Sequence, residues 1–99
     1  MVQKKVIWSD RAIKQLEKAY NYILKDSFQN AEKVINDVLE SALKIAKNPE
    51  IYSLDKYKRN NDGSFRAYEL HRYRIAYKIK ADKIIIVRMR HTKMEPKVY

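Results

Sequence analysis

The groups in this 99-residue chain that are able to do chemistry crowd into its second half. Five arginines (Arg66, Arg72, Arg74, Arg88 and Arg90), both histidines (His71 and His91), Lys93 and the final residue, Tyr99, all lie beyond position 65. Arginine presents a planar fork that matches phosphate oxygens. Histidine exchanges a proton near neutral pH. Lysine and tyrosine do so only when their surroundings shift their pKa values. Such a set suits metal-free cleavage of RNA. That reaction needs a base for the ribose 2′-OH, a cation for the charge growing on the phosphate, and an acid for the leaving oxygen. Nothing in the spacing builds a metal site: the chain has no cysteine, and a whole hairpin separates its two histidines. It has no glycine-rich phosphate loop and calls for no cofactor.

Spacing also yields a working geometry. Tyr73–Lys80 and Lys83–His91 read as adjacent antiparallel strands. If Ala81-Asp82 is a two-residue turn, Lys80 pairs with Lys83, Ala76 with Val87, Arg74 with Met89 and Arg72 with His91. Side chains alternate, so Arg74 and His91 become diagonal neighbours on one face, roughly 7–8 Å apart at Cα. Arg66 stays unassigned, because a one-residue slip at the preceding turn moves it to the other face.

The elements that must position these groups are legible along the chain. Val2–Trp8 reads as a strand with Val2, Val6 and Trp8 at even spacing. Ser9-Asp10 is a helix start. Ile13, Leu16, Tyr20, Ile23 and Leu24 follow one helical face. Ser27 offers a second cap, before a cleaner stripe of Ala31, Val34, Ile35, Val38, Leu39, Ala42, Ile45 and Ala46. Asn48-Pro49 ends it, since a residue before proline avoids helical geometry. Residues 49 to 64 are irregular, with a strong turn signal at Arg59-Asn60-Asn61-Asp62-Gly63-Ser64. Three strands follow: Phe65–Leu70, Tyr73–Lys80 and Lys83–His91. The order predicts one α+β domain over residues 1–99, a strand, a helical hairpin and a three-strand antiparallel meander, with the hairpin on one face of a curved sheet. Tyr73, Ile75, Tyr77 and Ile79 share the face that carries the helices, and Tyr20 belongs to the same core.

Composition narrows the class of partner. The net charge is +10, divided as +2 over residues 1–50 and +8 over residues 51–99. The second half is therefore the half that attracts a polyanion. Lys56, Lys58, Arg59, Arg66, Arg88 and Arg90 are the candidate nucleic-acid contacts. At 45% apolar residues the chain holds a core. Its longest aliphatic run, Ile84–Val87, falls far short of the roughly 20 residues of a membrane span. No export signal follows Lys4 and Lys5, and the lack of cysteine is compatible with a reducing cytoplasm.

The order of elements, the stretches Phe65-Arg66-Ala67-Tyr68-Glu69-Leu70 and Tyr73-Arg74-Ile75-Ala76-Tyr77-Lys78-Ile79, and the tail from Arg88 to Tyr99 together resemble the RelE/ParE toxin superfamily of bacterial type II toxin–antitoxin modules. The resemblance spans nearly the whole chain. It implies a toxin neutralised by a cognate antitoxin, and it carries two activities. RelE-like members are ribosome-dependent mRNA endonucleases; ParE-like members poison DNA gyrase and cut nothing. On the first activity, Arg74 occupies the position of the arginine that contacts the scissile phosphate. Lys93 and Tyr99 resemble a tail arginine and a terminal tyrosine, and His91 resembles a histidine near the end of the last strand. The expectation is therefore an mRNA interferase acting on ribosome-bound mRNA through Arg74, His91, Lys93 and Tyr99, with gyrase inhibition as the alternative. The strand before Arg74 departs from the nuclease pattern, because Arg66 and Glu69 are its only charged side chains. The helices look longer than in RelE and closer to ParE.

Overall fold

A computed structural model describes residues 3–94 and 97–99 of the chain. Val2, expected in the first strand, and Glu95 and Pro96 of the tail lie outside the described residues. The elements run β1 (Lys5–Trp8), α1 (Asp10–Leu24), α2 (Phe28–Lys47), β2 (Phe65–Leu70), β3 (Tyr73–Ile79) and β4 (Lys83–His91).

Local chemistry sets the helix boundaries. The Ser9 side chain accepts the Ala12 N–H at 3.1 Å and the Ser27 side chain accepts the Asn30 N–H at 3.1 Å. Each satisfies one of the donors that a helix start leaves without a partner. Asn48 ends α2, immediately before Pro49. Small residues let the hairpin close on the sheet: Ala12, Ala19, Ala31, Ala42 and Ala46 are all buried.

The sheet order is β1-β4-β3-β2. The meander is antiparallel as expected, and β1 joins it in parallel beside β4, from Lys5↔Lys83 to Trp8↔Ile86. One face, with Tyr68, Tyr73, Ile75, Tyr77, Ile84, Ile86 and Met89, packs with Val34, Val38 and Ile45 of α2 and Ala12 and Ala19 of α1. Val6 and Trp8 add to it from β1. Two buried phenols find partners, as an apolar core requires. Tyr77 donates its hydroxyl to the Pro49 carbonyl (2.6 Å), and Tyr68 shares a hydrogen bond with Ser41 (2.6 Å).

The two hairpin turns behave differently. His71 and Arg72 join β2 to β3 with φ of 51° and 68°. Two consecutive left-handed residues are what a two-residue primed turn demands, and for side chains other than glycine they carry strain. Tertiary contacts hold them: His71 Nε2 meets Asp37 of α2 at 2.7 Å, and the Thr92 N–H donates to the Arg72 carbonyl at 2.7 Å. At the other turn the Lys80 N–H donates to the Lys83 carbonyl at 2.8 Å, so the Lys80–Lys83 closure holds. From there the expected register runs correctly to Tyr77↔Ile86 and then fails. A bulge at Val87 advances β4 by one residue, and the pairs become Ala76↔Arg88, Ile75↔Met89, Arg74↔Arg90 and Tyr73↔His91. The expected pairs Ala76–Val87, Arg74–Met89 and Arg72–His91 do not form. Ser9 Oγ donates to the carbonyl of the bulged Val87 (3.2 Å), which ties the irregularity to the start of α1.

Candidate functional site

The bulge decides what the open face of the sheet carries. Past it, Arg88 and Arg90 come to lie with Arg74, Ala76 and Lys78 on the face away from the helices, beside Phe65, Ala67 and Glu69 of β2. His91 moves to the helix face, its ring set edge-on to Tyr73 with centroids 5.0 Å apart. The expected Arg74–His91 diagonal is therefore replaced by an Arg74–Arg90 pair. Arg66 also falls on the helix face, opposite Tyr77, where it donates from Nη1 to the Tyr52 carbonyl at 2.6 Å.

The segment between α2 and β2 folds back on the strands. It pairs with β2 through Leu54↔Arg66, and the Asp55 N–H donates to the Phe65 carbonyl at 2.9 Å. Asn61 stabilises the following turn, accepting the Gly63 N–H (2.9 Å) and donating to the Phe65 carbonyl (2.9 Å). Gly63 has φ of 96°, a conformation that suits its lack of a Cβ. The end of the chain lies alongside: the Arg59 N–H donates to the Tyr99 carbonyl (2.6 Å), and the Tyr99 N–H donates to the Tyr57 carbonyl (3.0 Å).

These strands of chain meet at Asp55, which is 2% exposed. Its carboxylate accepts from Tyr99 Oη (2.6 Å), from Arg74 Nη2 (3.0 Å) and from the Tyr57 N–H (3.1 Å). Burial alone pushes the acid upward. The hydrogen bonds from Tyr99, Arg74 and the Tyr57 backbone outweigh it, so Asp55 is held below the usual carboxylate range. Tyr99 responds in the opposite sense. Burial, and then its bond to the Asp55 carboxylate, raise its phenol well above the ordinary value and keep it protonated.

Cations and rings stack around this carboxylate. The Arg74 guanidinium reaches Glu69 at 3.5 Å as well as Asp55, and lies 4.7 Å from the centre of the Tyr57 ring. Arg88 is buried, 4.1 Å over the Tyr99 ring, and donates from Nη2 to the Lys97 carbonyl at 2.6 Å. Burial lowers its pKa, partly offset by Tyr99 and Asp55. Lys58 and Lys78 lie 4.8 and 5.1 Å from the centre of the Phe65 ring, which meets Tyr99 edge-on. Lys56 lies 5.3 Å from the centre of the Tyr57 ring, and Arg59 is exposed. Cation–ring contacts at this range are each worth about 0.5–1 kcal/mol or more as water is excluded.

The four residues expected to do catalysis do not meet at one point, although Arg74 and His91 both line a small recess with Arg88 and Arg90. Arg74 and Tyr99 converge on Asp55 beneath the folded-back loop. His91 and Lys93 sit at the far end of β4, where His91 Nδ1 accepts the Lys93 N–H at 3.0 Å and the Lys93 side chain is exposed. Of the expected nucleic-acid contacts, Lys56, Lys58, Arg59, Arg88 and Arg90 surround the open face, and Arg66 does not. Sequence reasoning missed Asp55 altogether. Its one outward sign is that it is the only acid between Glu50 and Asp62, in a stretch where Ile51, Tyr52, Leu54 and Tyr57 signal packing. Among the described residues no three His, Cys, Asp or Glu side chains gather as metal ligands.

Residues 6–96 match the family model described as ParE toxin of type II toxin–antitoxin system, parDE. The chain belongs to the ParE toxin family. It is accordingly a type II toxin, and solved structures agree with it in fold. The chromosomal ParDE system of P. aeruginosa superposes with a TM-score of 0.71 at 16% identity, covering 92% of this chain and 98% of that one. The RelBE2 toxin–antitoxin complex of Mycobacterium tuberculosis gives 0.64 at 19% identity, covering 91% and 99%. The YoeB dimer of Staphylococcus aureus gives 0.57 at 16%, covering 91% and 98%. A comparison with curated protein sequences finds no match. Among the described residues of this ParE-family chain no helix is long and apolar enough to cross a membrane.

Proposed function

We propose that this ParE-family toxin acts by binding a macromolecular target, DNA gyrase, and that a cognate antitoxin holds it inactive. The observation that carries this reading is the state of Arg74. Its guanidinium is engaged by Asp55 and Glu69, and its side chain is only 17% exposed. A phosphate seeking Arg74 must compete with a buried carboxylate already in place. Breaking such a pair costs on the order of 3–5 kcal/mol. The His91 ring instead packs edge-on to Tyr73, on the face that carries the helices. A cationic sheet face framed by rings, whose Arg74 is already engaged by carboxylates, suits binding better than bond cleavage. The family match points the same way, and the solved ParDE system of P. aeruginosa gives the antitoxin expectation a precedent in a related fold.

One observation favours the other reading, ribosome-dependent cleavage of mRNA. Arg74 and Tyr99 meet at one carboxylate, so a rearrangement of the loop delivers both groups together. Two measurements separate the readings. Purified protein is titrated into a gyrase supercoiling reaction, and mRNA ends are mapped after induction in cells. Loss of supercoiling with intact messages is the expected result. Unimpaired supercoiling at excess protein, together with new mRNA ends, overturns it in favour of the nuclease.

A further inference from the structure

The helical hairpin carries a second apolar stripe beyond the one that the sheet covers. Val34, Val38 and Ile45 of α2 and Ala12 and Ala19 of α1 are buried in the core. Phe28, Leu39 and Leu43 of α2 are instead 58%, 43% and 56% exposed, with the half-buried Ile35 in the same row. Steps of seven, four and four residues set these four on one side of the helix. Leu39 and Leu43 each follow a buried residue by one position, so they point about 100° away from the core stripe. Ile13 and Leu24 of α1 are exposed as well. A lone exposed leucine needs no explanation, but a row of large apolar side chains along one helix marks a contact surface.

Charge decides what fits that surface. Residues 10–47 hold seven Lys/Arg and six Asp/Glu, a net of +1 in a chain of +10. Two copies that meet through the open sheet face bring their +8 halves together and repel; two that meet through the hairpin do not. An acidic partner is drawn to the +8 half rather than to this near-neutral stripe. The long helix is also polarised. Glu32, Lys33, Asp37 and Glu40 give residues 28–40 a net of −2, and Lys44 and Lys47 give residues 41–47 a net of +2. An antiparallel copy of α2 therefore matches it end for end.

We infer that the outer face of the hairpin is a two-fold interface that seats a second copy of this chain, the two α2 helices crossing antiparallel near Leu39. Ile35 of one copy then lies beside Leu43 of the other, and Glu32 beside Lys47. Among the described residues neither Glu32 nor Lys47 has an ion-pair partner within its own chain. A pairing of this kind closes on itself and covers the stripe of both copies. Size sets its strength. The 20 residues of α2 are about 30 Å long, and two helices side by side are about 20 Å wide. The face is thus on the order of 600 Å² per copy, at the low end for a specific interface, and the dimer is reversible and concentration-dependent. The hairpin lies on the opposite side of the sheet from Arg74 and Arg90, so the dimer keeps both cationic faces open and presents two of them to a target.

The test is sedimentation equilibrium of the purified full chain over a concentration series. The mass is expected to rise from that of one chain towards that of two. Leu39→Glu combined with Leu43→Glu is expected to weaken self-association at least 100-fold. Glu32→Lys or Lys47→Glu alone is expected to weaken it about threefold or more, and the two together to return it to within about twofold of wild type, because the reversed charges still match. Lys80→Glu, in the turn between β3 and β4, controls for net charge. Every substituted side chain is exposed, and thermal melts verify folding. As a second readout, the chain has no cysteine, so a single one reports its own position. Leu39→Cys is expected to give a disulfide-linked dimer on mild oxidation, and Lys56→Cys, beside the open face, is not. A chain that keeps the mass of one copy up to about 1 mM overturns the inference. A dimer that survives the Leu39 and Leu43 substitutions overturns it by putting the contact elsewhere. A monomeric wild type whose growth arrest is lost in the folded double variant overturns it in favour of another macromolecule on this face.

Discussion

The Tyr99 hydroxyl donates to the buried Asp55 carboxylate at 2.6 Å, joining the last residue of the chain to the irregular segment between α2 and β2. Arg74 reaches the same carboxylate from β3 at 3.0 Å. Three separate parts of the chain therefore share one charge. The pairing satisfies Asp55, orients Arg74 and pins the chain end, so the open face of the sheet is shaped by a contact that no single element contains.

Removing that charge is the most direct way to weigh it. Asp55→Ala leaves the Arg74 guanidinium largely buried with only the exposed Glu69 as a partner. Breaking a buried pair at one end costs roughly 3 kcal/mol or more. Urea unfolding of the variant is expected to show a midpoint lowered by that free energy divided by the m-value, with the m-value itself unchanged. A loss below about 1 kcal/mol, the range of surface ion pairs, means that water already screens the site.

Acid should have a related effect. Asp55 is held below its ordinary value of about 3.9, so the folded state binds its proton less readily than the unfolded state does. The stability this contributes is present above that ordinary value and is lost as pH falls through the lower folded value. Asp37, depressed by His71 and then Lys33, and Asp62, depressed by Ser64, add effects of the same sign. Urea titrations stepped downward from pH 6 are expected to show a loss concentrated below pH 4. Asp55→Asn is expected to flatten part of that slope; an unchanged slope assigns the acid sensitivity to other carboxylates.

Much of this architecture was legible in the chain, and the exceptions have physical causes. The caps at Ser9 and Ser27, the stop at Asn48-Pro49 and the bounds of β2 and β4 rest on local chemistry that a sequence displays. So does the assignment of Tyr73, Ile75 and Tyr77 to the helix face. The bulge at Val87 was hidden because Ile84, Ile85, Ile86 and Val87 are all aliphatic, and a uniform run carries no phase from which to read a slip. That single residue turned the His91 ring to the helix face, against Tyr73, and put Arg90 opposite Arg74 instead. Asp55 was hidden for a different reason. It lies in a segment without periodicity, and its burial follows from Tyr99 and Arg74, which are 44 and 19 residues away.

The buried phenols make an alkaline prediction of opposite sign. Burial raises Tyr68 to about 12 and Tyr77 to about 12, and Tyr99 is raised by burial and by Asp55. Groups with raised values keep their protons longer when folded, so their contribution is intact below the unfolded value of about 10 and is lost as pH rises towards the folded one. The tyrosinate absorbance of Tyr68, Tyr77 and Tyr99 is expected to rise only above the ordinary phenol value and together with unfolding. A rise near the ordinary value means that these phenols are open to solvent.

Tyr99→Phe separates structure from catalysis. The substitution keeps the ring that lies 4.1 Å from the Arg88 guanidinium and edge-on to Phe65, and removes only the donation to Asp55. A hydrogen bond to a charged partner is worth about 1.5–3 kcal/mol, so the variant is expected to melt earlier while remaining folded at low temperature. If the toxin works by binding, gyrase inhibition by the folded variant is expected to stay within about twofold of wild type, whereas loss of a proton-transfer group costs about 10²–10⁴-fold. Growth arrest after induction at low temperature, read beside the supercoiling titration, decides the matter. A 100-fold or greater loss of growth arrest in a folded variant, in a protein that leaves supercoiling unimpaired, gives the hydroxyl a chemical role and returns the protein to the nuclease reading.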